Sequence, residues 1–120
     1  METVNGSCHC QAIKFEIDLE NGLQDLRRCN CSLCRRKNAV MTSVPIKYFR
    51  ITQGEDVITL YKWNTMVAEH YFCSVCGIYT HHRRRLDPTE FGFNVACLEG
   101  VDPNTLADVP VFNGESLSLE

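Results

Sequence analysis

No apolar run in this chain of 120 residues approaches the ~18 that a membrane-spanning helix needs, although the hydrophobic share is an ordinary 44%. The opening, Met1-Glu2-Thr3-Val4-Asn5, shows neither the basic region nor the apolar stretch of a secretory signal. Lys and Arg are absent after Arg85, and a pI of about 5.8 lacks the basic excess of a general nucleic-acid binder. No internal repeat, low-complexity tract or linker interrupts the chain. These absences leave one domain over 1–120, large enough for a modest core. They also favour a reducing compartment, with the cytoplasm as the expected location. Neither a membrane nor a nucleic-acid partner is expected, and no residue pattern sets an oligomeric state.

What the chain has in plenty is cysteine, eight in all. Cys8-His9-Cys10 is a C-x-C, Cys29-Asn30-Cys31-Ser32-Leu33-Cys34 is a C-x-C-x-x-C, and Cys73-Ser74-Val75-Cys76 is a C-x-x-C followed by Gly77. Thiols one or two residues apart are hard to join in an unstrained disulfide, whereas short turns can aim them at one ion. The pattern predicts metal ligation, with zinc the expected ion and two zinc ions per chain. Gly77 fits a zinc-knuckle turn, where a residue tolerating positive φ lets backbone N–H groups face the sulfurs. Such a turn supplies half of a tetrahedral site, and the N-terminal C-x-C is its natural complement. Cys8, Cys10, Cys73 and Cys76 therefore predict a closed, structural centre.

Cys29, Cys31 and Cys34 present three thiolates within one short segment. A zinc held by three ligands keeps a position for water or substrate sulfur, which is the arrangement of a catalytic centre. The alternative is closure by a fourth protein ligand, with Cys97, His9, His70, His81 and His82 as candidates. Cys97 lies in a strand-like apolar run, Val95-Ala96-Cys97-Leu98, where a lone cysteine is most often a small buried hydrophobe. The three later histidines lie in strand runs and read as satisfied structural residues. His9, between two ligands, points away from them if its segment is extended.

The basic residues gather near the cysteines: Arg27, Arg28, Arg35, Arg36 and Lys37 around the central cluster, and Arg83, Arg84 and Arg85 after the C-x-x-C. They either balance the negative charge of a zinc–thiolate centre or clamp the carboxylates of an anionic thiol. Arg35 and Arg36, which adjoin the central cysteines, are the expected substrate-binding pair.

The remaining pattern is β-rich. Ile13, Phe15, Ile17 and Leu19 alternate with Lys14, Glu16 and Asp18 at the period of a half-buried strand. Runs 57–63 and 66–72 read as a hairpin turning at Asn64-Thr65. Further short strands are expected over 39–44, 48–52, 78–81 and 91–98, and short helices over 31–37 and 103–107. Fold class is thus mainly β: a small antiparallel domain stapled by zinc, with few short helices.

Taken together, Gly6-Ser7-Cys8-His9-Cys10 with Phe15, Cys29-Asn30-Cys31-Ser32-Leu33-Cys34-Arg35, Phe72-Cys73-Ser74-Val75-Cys76-Gly77 and Asn94-Val95-Ala96-Cys97-Leu98-Glu99-Gly100 resemble the glutathione-dependent formaldehyde-activating family. That family shares its domain with the centromere protein V group, and the resemblance runs from about residue 3 to 113. It implies an Mss4-like β fold, a structural zinc on Cys8, Cys10, Cys73 and Cys76, and a second zinc on Cys29, Cys31 and Cys34. It also implies a carbon–sulfur lyase activity that joins glutathione and formaldehyde into S-hydroxymethylglutathione. The expected partners are therefore a small thiol such as glutathione and an aldehyde. A non-enzymatic zinc module for protein or nucleic-acid binding is the rival reading, and a fourth ligand on the central cysteines would favour it.

Overall fold

The computed structural model describes residues 1–114, so the last six positions of the domain expected over 1–120 lie outside the described residues. Ten strands follow in chain order. They are β1 (Glu2–Ser7), β2 (Lys14–Leu19), β3 (Arg28–Cys29), β4 (Met41–Pro45), β5 (Phe49–Gln53), β6 (Ile58–Tyr61), β7 (Glu69–Cys73), β8 (Tyr79–Arg83), β9 (Glu90–Asn94) and β10 (Val111–Phe112). One α-helical turn, α1 (Cys34–Lys37), and four 3₁₀ turns complete the described elements. No helix among the described residues is long and apolar enough to cross a membrane.

β1, β2 and β5 form an antiparallel three-stranded sheet, and β4-β9-β8-β7-β6 form an antiparallel five-stranded sheet. The alternation in β2 sends Phe15, Ile17 and Leu19 into the core. It leaves Asp18 outside to accept from Arg50 at 2.8 and 3.0 Å and from Thr3 at 2.8 Å. The sheets meet through a column of rings. Phe15 stacks on Phe49 at 5.0 Å, Phe49 on His81 at 4.7 Å, and His81 on Tyr71 at 4.5 Å. His81 lies opposite Phe93 on β9, so an imidazole occupies the middle of an aromatic core. Burial accordingly pushes its pKa down to about 3.

The opposite face of the larger sheet positions the central cysteines. His70 pairs with His82, and His82 with Gly92, so these residues share a face away from the aromatic column. Tyr71 lies opposite His81 while Phe72 lies opposite Tyr79. Thr80 is thus an extra, bulged residue. The bulge shifts the alternation by one and places Tyr79 beside His82, where its hydroxyl lies 2.6 Å from Nδ1. The segment carrying β3 and α1 covers this face: Arg27 bridges Met41 and donates to Ser43 Oγ at 2.6 Å. α1 ends at Asn38, whose φ of 51° is left-handed and whose N–H returns to the Cys34 carbonyl at 2.8 Å.

Several expectations shift in detail. The hairpin pairs Tyr61 with His70, so residues 62–68 connect it and the turn at Asn64-Thr65 is only part of that loop. Strand β9 stops at Asn94, because the Asn94 side chain caps a 3₁₀ turn over Val95–Cys97. Cys97 is therefore in a turn and not a strand. The helix expected over 31–37 narrows to α1 at Cys34–Lys37, and that over 103–107 is a 3₁₀ turn at Pro103–Thr105.

Candidate metal centres

The turn after β7 and the turn after β1 bring four thiols together. Sγ of Cys10 lies 3.7 Å from that of Cys8 and 3.7 Å from that of Cys73. The four sulfurs of Cys8, Cys10, Cys73 and Cys76 all lie within 4.8 Å of one another. A tetrahedral zinc with ~2.3 Å bonds places sulfurs ~3.8 Å apart, close to the two 3.7 Å separations, so this donor set suits that ion. Backbone amides face the sulfurs: Ile13 N–H donates to Cys8 Sγ at 3.3 Å, and Val75 and Cys76 to Cys73 Sγ at 3.3 and 3.4 Å. Gly77, at φ 79°, closes the knuckle with an N–H to the Cys73 carbonyl at 2.8 Å.

Cys29, Cys31 and Cys34 form the second set, also within 4.8 Å and all buried. Cys31 N–H reaches Cys29 Sγ at 3.5 Å, and Cys34 N–H reaches Cys31 Sγ at 3.3 Å. The hydrogen bond with Cys29, together with burial, pushes the Cys34 thiol up, and burial pushes up that of Cys31. Three such thiols cannot all ionise alone; a bound cation reverses that preference. Met41, Leu33 and Trp63 pack around them. Over them lies Gly114, so close that a Cβ there would stand 2.5 Å from Cys29 Sγ and 3.2 Å from Cys31 Cβ. Backbone bonds from Arg28 N–H to the Pro110 carbonyl (2.9 Å) and from Asn30 N–H to the Phe112 carbonyl (3.1 Å) hold this strap down.

None of the five fourth-ligand candidates joins the central set. Cys97 lies instead near the first cluster, its Sγ 3.7 Å from the Tyr79 carbonyl. Burial, then the charges of Cys8 and Cys76, push its thiol up to about 12. His9 is exposed in the turn between Cys8 and Cys10. His81 belongs to the aromatic column, and His82 is bonded to Tyr79. His70 has its Nδ1 3.4 Å from Lys37 Nζ, and burial, then that ammonium, pushes its pKa down to about 3.

Arg35 and Arg36 both point outward, with Arg36 donating to the Ser32 carbonyl at 2.6 Å. Arg83 and Arg84 pair with Glu69 (3.8 Å) and Glu90 (2.7 Å). The cation that turns inward is Lys37, whose Nζ lies 3.7 Å from the Tyr79 ring centroid and whose charge favours the Cys34 thiolate. Its signal in the sequence is the i, i+3 spacing from Cys34, which puts both on one helical face. Trp63 and Gly114, from distant segments, had no such local signal.

A pocket of about 260 Å³ adjoins the central set. Leu33 and Lys37 wall it on that side, and Tyr61, His70, Tyr71, Phe72, Gly77 and Tyr79 line the rest. A crystal structure of a Rhodobacter sphaeroides protein is 48% identical to this chain, with a TM-score of 0.86, and the match covers 90% of this chain and 99% of that one. Residues 3–113 match the family described as glutathione-dependent formaldehyde-activating enzyme. The two thiol clusters, their spacing and this match over nearly all the described chain converge, and the protein belongs to the glutathione-dependent formaldehyde-activating enzyme family.

Proposed function

We propose that the protein is a zinc-dependent enzyme of the carbon–sulfur lyase class that joins a thiol to an aldehyde, with glutathione and formaldehyde as the pair and S-hydroxymethylglutathione as the product. The observation that carries this reading is the central set of three buried thiols without a fourth protein donor among the described residues. Three donors hold an ion and leave it a position for a reactant. The closed set of Cys8, Cys10, Cys73 and Cys76 serves as the structural staple.

In the reaction the thiol sulfur forms a bond to the aldehyde carbon, the C=O π bond breaks, and the thiol proton ends on the former carbonyl oxygen. A free thiol with a pKa of ~8.5 is only a few per cent ionised at neutral pH. Zinc, when bound, supplies Lewis acidity and lowers that pKa. The protein's own groups do the rest. Cys29, Cys31 and Cys34 hold the ion, and Leu33, Met41 and Trp63 exclude water around it. Lys37 adds a fixed positive charge beside Cys34. Exposed Arg35 and Arg36 raise the local concentration of an anionic thiol by steering. Of the arginines that a non-enzymatic binding module would use, Arg83 and Arg84 are engaged by Glu69 and Glu90, while Arg35 and Arg36 stay exposed.

The test is exchange spectroscopy of glutathione with formaldehyde, after subtraction of the uncatalysed rate. Wild type should accelerate adduct formation and Cys34→Ser should match the blank. Equal rates for both proteins and the blank refute the proposed reaction.

A further inference from the structure

Formaldehyde bears only hydrogens on its carbonyl carbon, yet a slot of about 260 Å³ opens beside the central cysteines. Its floor is the face of the larger sheet that α1 covers. Tyr61 lies opposite His70, and Phe72 opposite Tyr79. Residues two apart on a strand share a face, so His70 and Phe72 project together. The bulge at Thr80 turns Tyr79 to the same side. Leu33, which packs on the cysteines, and Lys37 on α1 form the wall toward the metal set.

The lining narrows what can occupy this slot. The Lys37 ammonium is already engaged, 3.4 Å from His70 Nδ1 and 3.7 Å from the Tyr79 ring centroid, and its charge favours the Cys34 thiolate. The Tyr79 hydroxyl lies 2.6 Å from His82 Nδ1, and the Tyr71 hydroxyl donates to Glu69 at 2.6 Å. His70, only 3% exposed, offers a ligand almost no surface. What remains is hydrocarbon and ring surface from Leu33, Tyr61, Phe72 and Tyr79. Covering such a surface favours an apolar group and penalises a charge that loses its water there. An apolar cavity of ~150 Å³ takes a benzene ring, so about 260 Å³ has room for a phenyl or short alkyl group. Glutathione, with charged ends and no apolar side chain, does not suit it. The aldehyde is the reactant that can carry such a group.

We propose that the slot receives the apolar substituent of an aldehyde larger than formaldehyde, a short alkyl or arylmethyl group lying on Tyr61, Phe72 and Tyr79. The assignment rests on the reading that the central centre joins a thiol to an aldehyde. The step keeps its balance: the thiol sulfur bonds to the carbonyl carbon, the C=O π bond breaks, and the thiol proton ends on the oxygen, giving a hemithioacetal. Tyr61 is the specificity-determining residue, and its 48% exposure lets it be replaced with little effect on the core.

Two measurements on zinc-loaded protein test this. 2-Phenylethanol has an arylmethyl group and no carbonyl; titrated into wild type, it should bind saturably and shift the ring resonances of Tyr61 and Tyr79. Tyr61→Ala and Phe72→Ala should each weaken that binding, with thermal melts showing that the fold persists. Exchange spectroscopy with glutathione, after subtraction of the uncatalysed rate, then compares phenylacetaldehyde with acetaldehyde. Wild-type kcat/KM should favour phenylacetaldehyde by at least about tenfold, the scale of discrimination by an apolar pocket, and Tyr61→Ala should narrow that ratio. A ratio taken within one protein is insensitive to a general loss of activity. Should 2-phenylethanol leave both rings unmoved, or should wild type show no preference, the slot assignment is overturned even if formaldehyde is turned over. Saturable binding at Tyr61 and Tyr79 with no aldehyde accelerated supports the apolar slot and refutes the thiol–aldehyde reaction, so the two failures are separable.

Discussion

Replacing Gly114 by alanine puts a single methyl where the central centre has no room. The added Cβ would stand 2.5 Å from Cys29 Sγ and 3.2 Å from Cys31 Cβ. Carbon needs ~3.5–4.0 Å from a non-bonded heavy atom, so something must move by roughly 1 Å. Gly114 is not among the residues with positive φ, so the effect is one of contact and not of backbone strain. Two responses are open. Either the Cys29 sulfur yields, and a shift of ~1 Å far exceeds the ~0.2 Å tolerance of a metal–ligand bond. Or the strap lifts, giving up the backbone bonds at Arg28 and Asn30, each worth a net ~0.5–1.5 kcal/mol. These costs are comparable, and both loosen the segment that carries Cys29 and Cys31.

The expected outcome is a central-site zinc affinity lower by ~10–100-fold, the usual cost of losing a group that orients ligands. That corresponds to ~1.4–2.8 kcal/mol. Competition against a chelator, read through Trp63 fluorescence and zinc content, measures it directly. Amide exchange at Arg28 and Asn30 distinguishes a lifted strap from a displaced sulfur. Asn113→Ala, which removes the 3.2 Å bond from Asn30 but adds no bulk over the sulfurs, should cost much less. If Gly114→Ala keeps both zinc ions with an unchanged release rate, the strap does not position this centre.

Three further outcomes follow from the same geometry. Zinc-replete protein should hold two ions per chain and lose the one on Cys29, Cys31 and Cys34 first to a chelator; a maximum of one, with all seven clustered thiols reduced, contradicts the two-centre reading. Cys76→Ser should lower the melting temperature sharply, because binding free energy at a structural zinc is folding free energy, whereas Cys34→Ser should leave a folded protein without the second ion; the reverse order overturns the assignment. His70 and His81 have pKa values near 3 in the folded protein against ~6.5 unfolded. Their contribution is therefore intact above pH 6.5 and is lost as pH falls towards 3, by up to ~1.4 kcal/mol per unit for each. Urea midpoints at pH 7 and pH 5 should show this fall, and His81→Phe should reduce it by about one proton; identical midpoints would refute it.

What could be read from the residues divides along physical lines. The alternation of β2 was legible because one face of that strand is buried and the other is wet. The pairing of Cys8 and Cys10 with Cys73 and Cys76 was legible because a knuckle supplies only half a tetrahedron. β1 was not, since Thr3, Val4, Asn5 and Gly6 offer little contrast, only Gly6 being fully buried. β3 and β10 are two residues each and pair in parallel across the chain, so no local pattern marks them. Cys97 was misplaced because an apolar run suits both a strand and a 3₁₀ turn; the Asn94 cap decided it. Arg35 and Arg36 drew notice by proximity in sequence. A helical turn points them outward and turns Lys37 in, a distinction of angle that composition cannot convey.

The two centres differ most in how far along the chain their ligands lie, and this bears on what each can do. Cys10 and Cys73 are 63 residues apart, so an ion between them closes a long loop and ties the first sheet to the second. Removing it releases entropy held by much of the fold. Cys29, Cys31 and Cys34 belong to one short segment, and an ion there closes almost no loop. Its coordination can change with little consequence for the two sheets, provided that the segment stays seated. The seating comes from outside: Gly114 and the strap over Cys29, Leu33 and Trp63 around the sulfurs, and Lys37 on His70. A centre that must exchange one ligand for a reactant is better served by local donors on a fixed platform than by donors that hold the fold. That is the division on which the proposed function draws in the four-thiol and three-thiol sets.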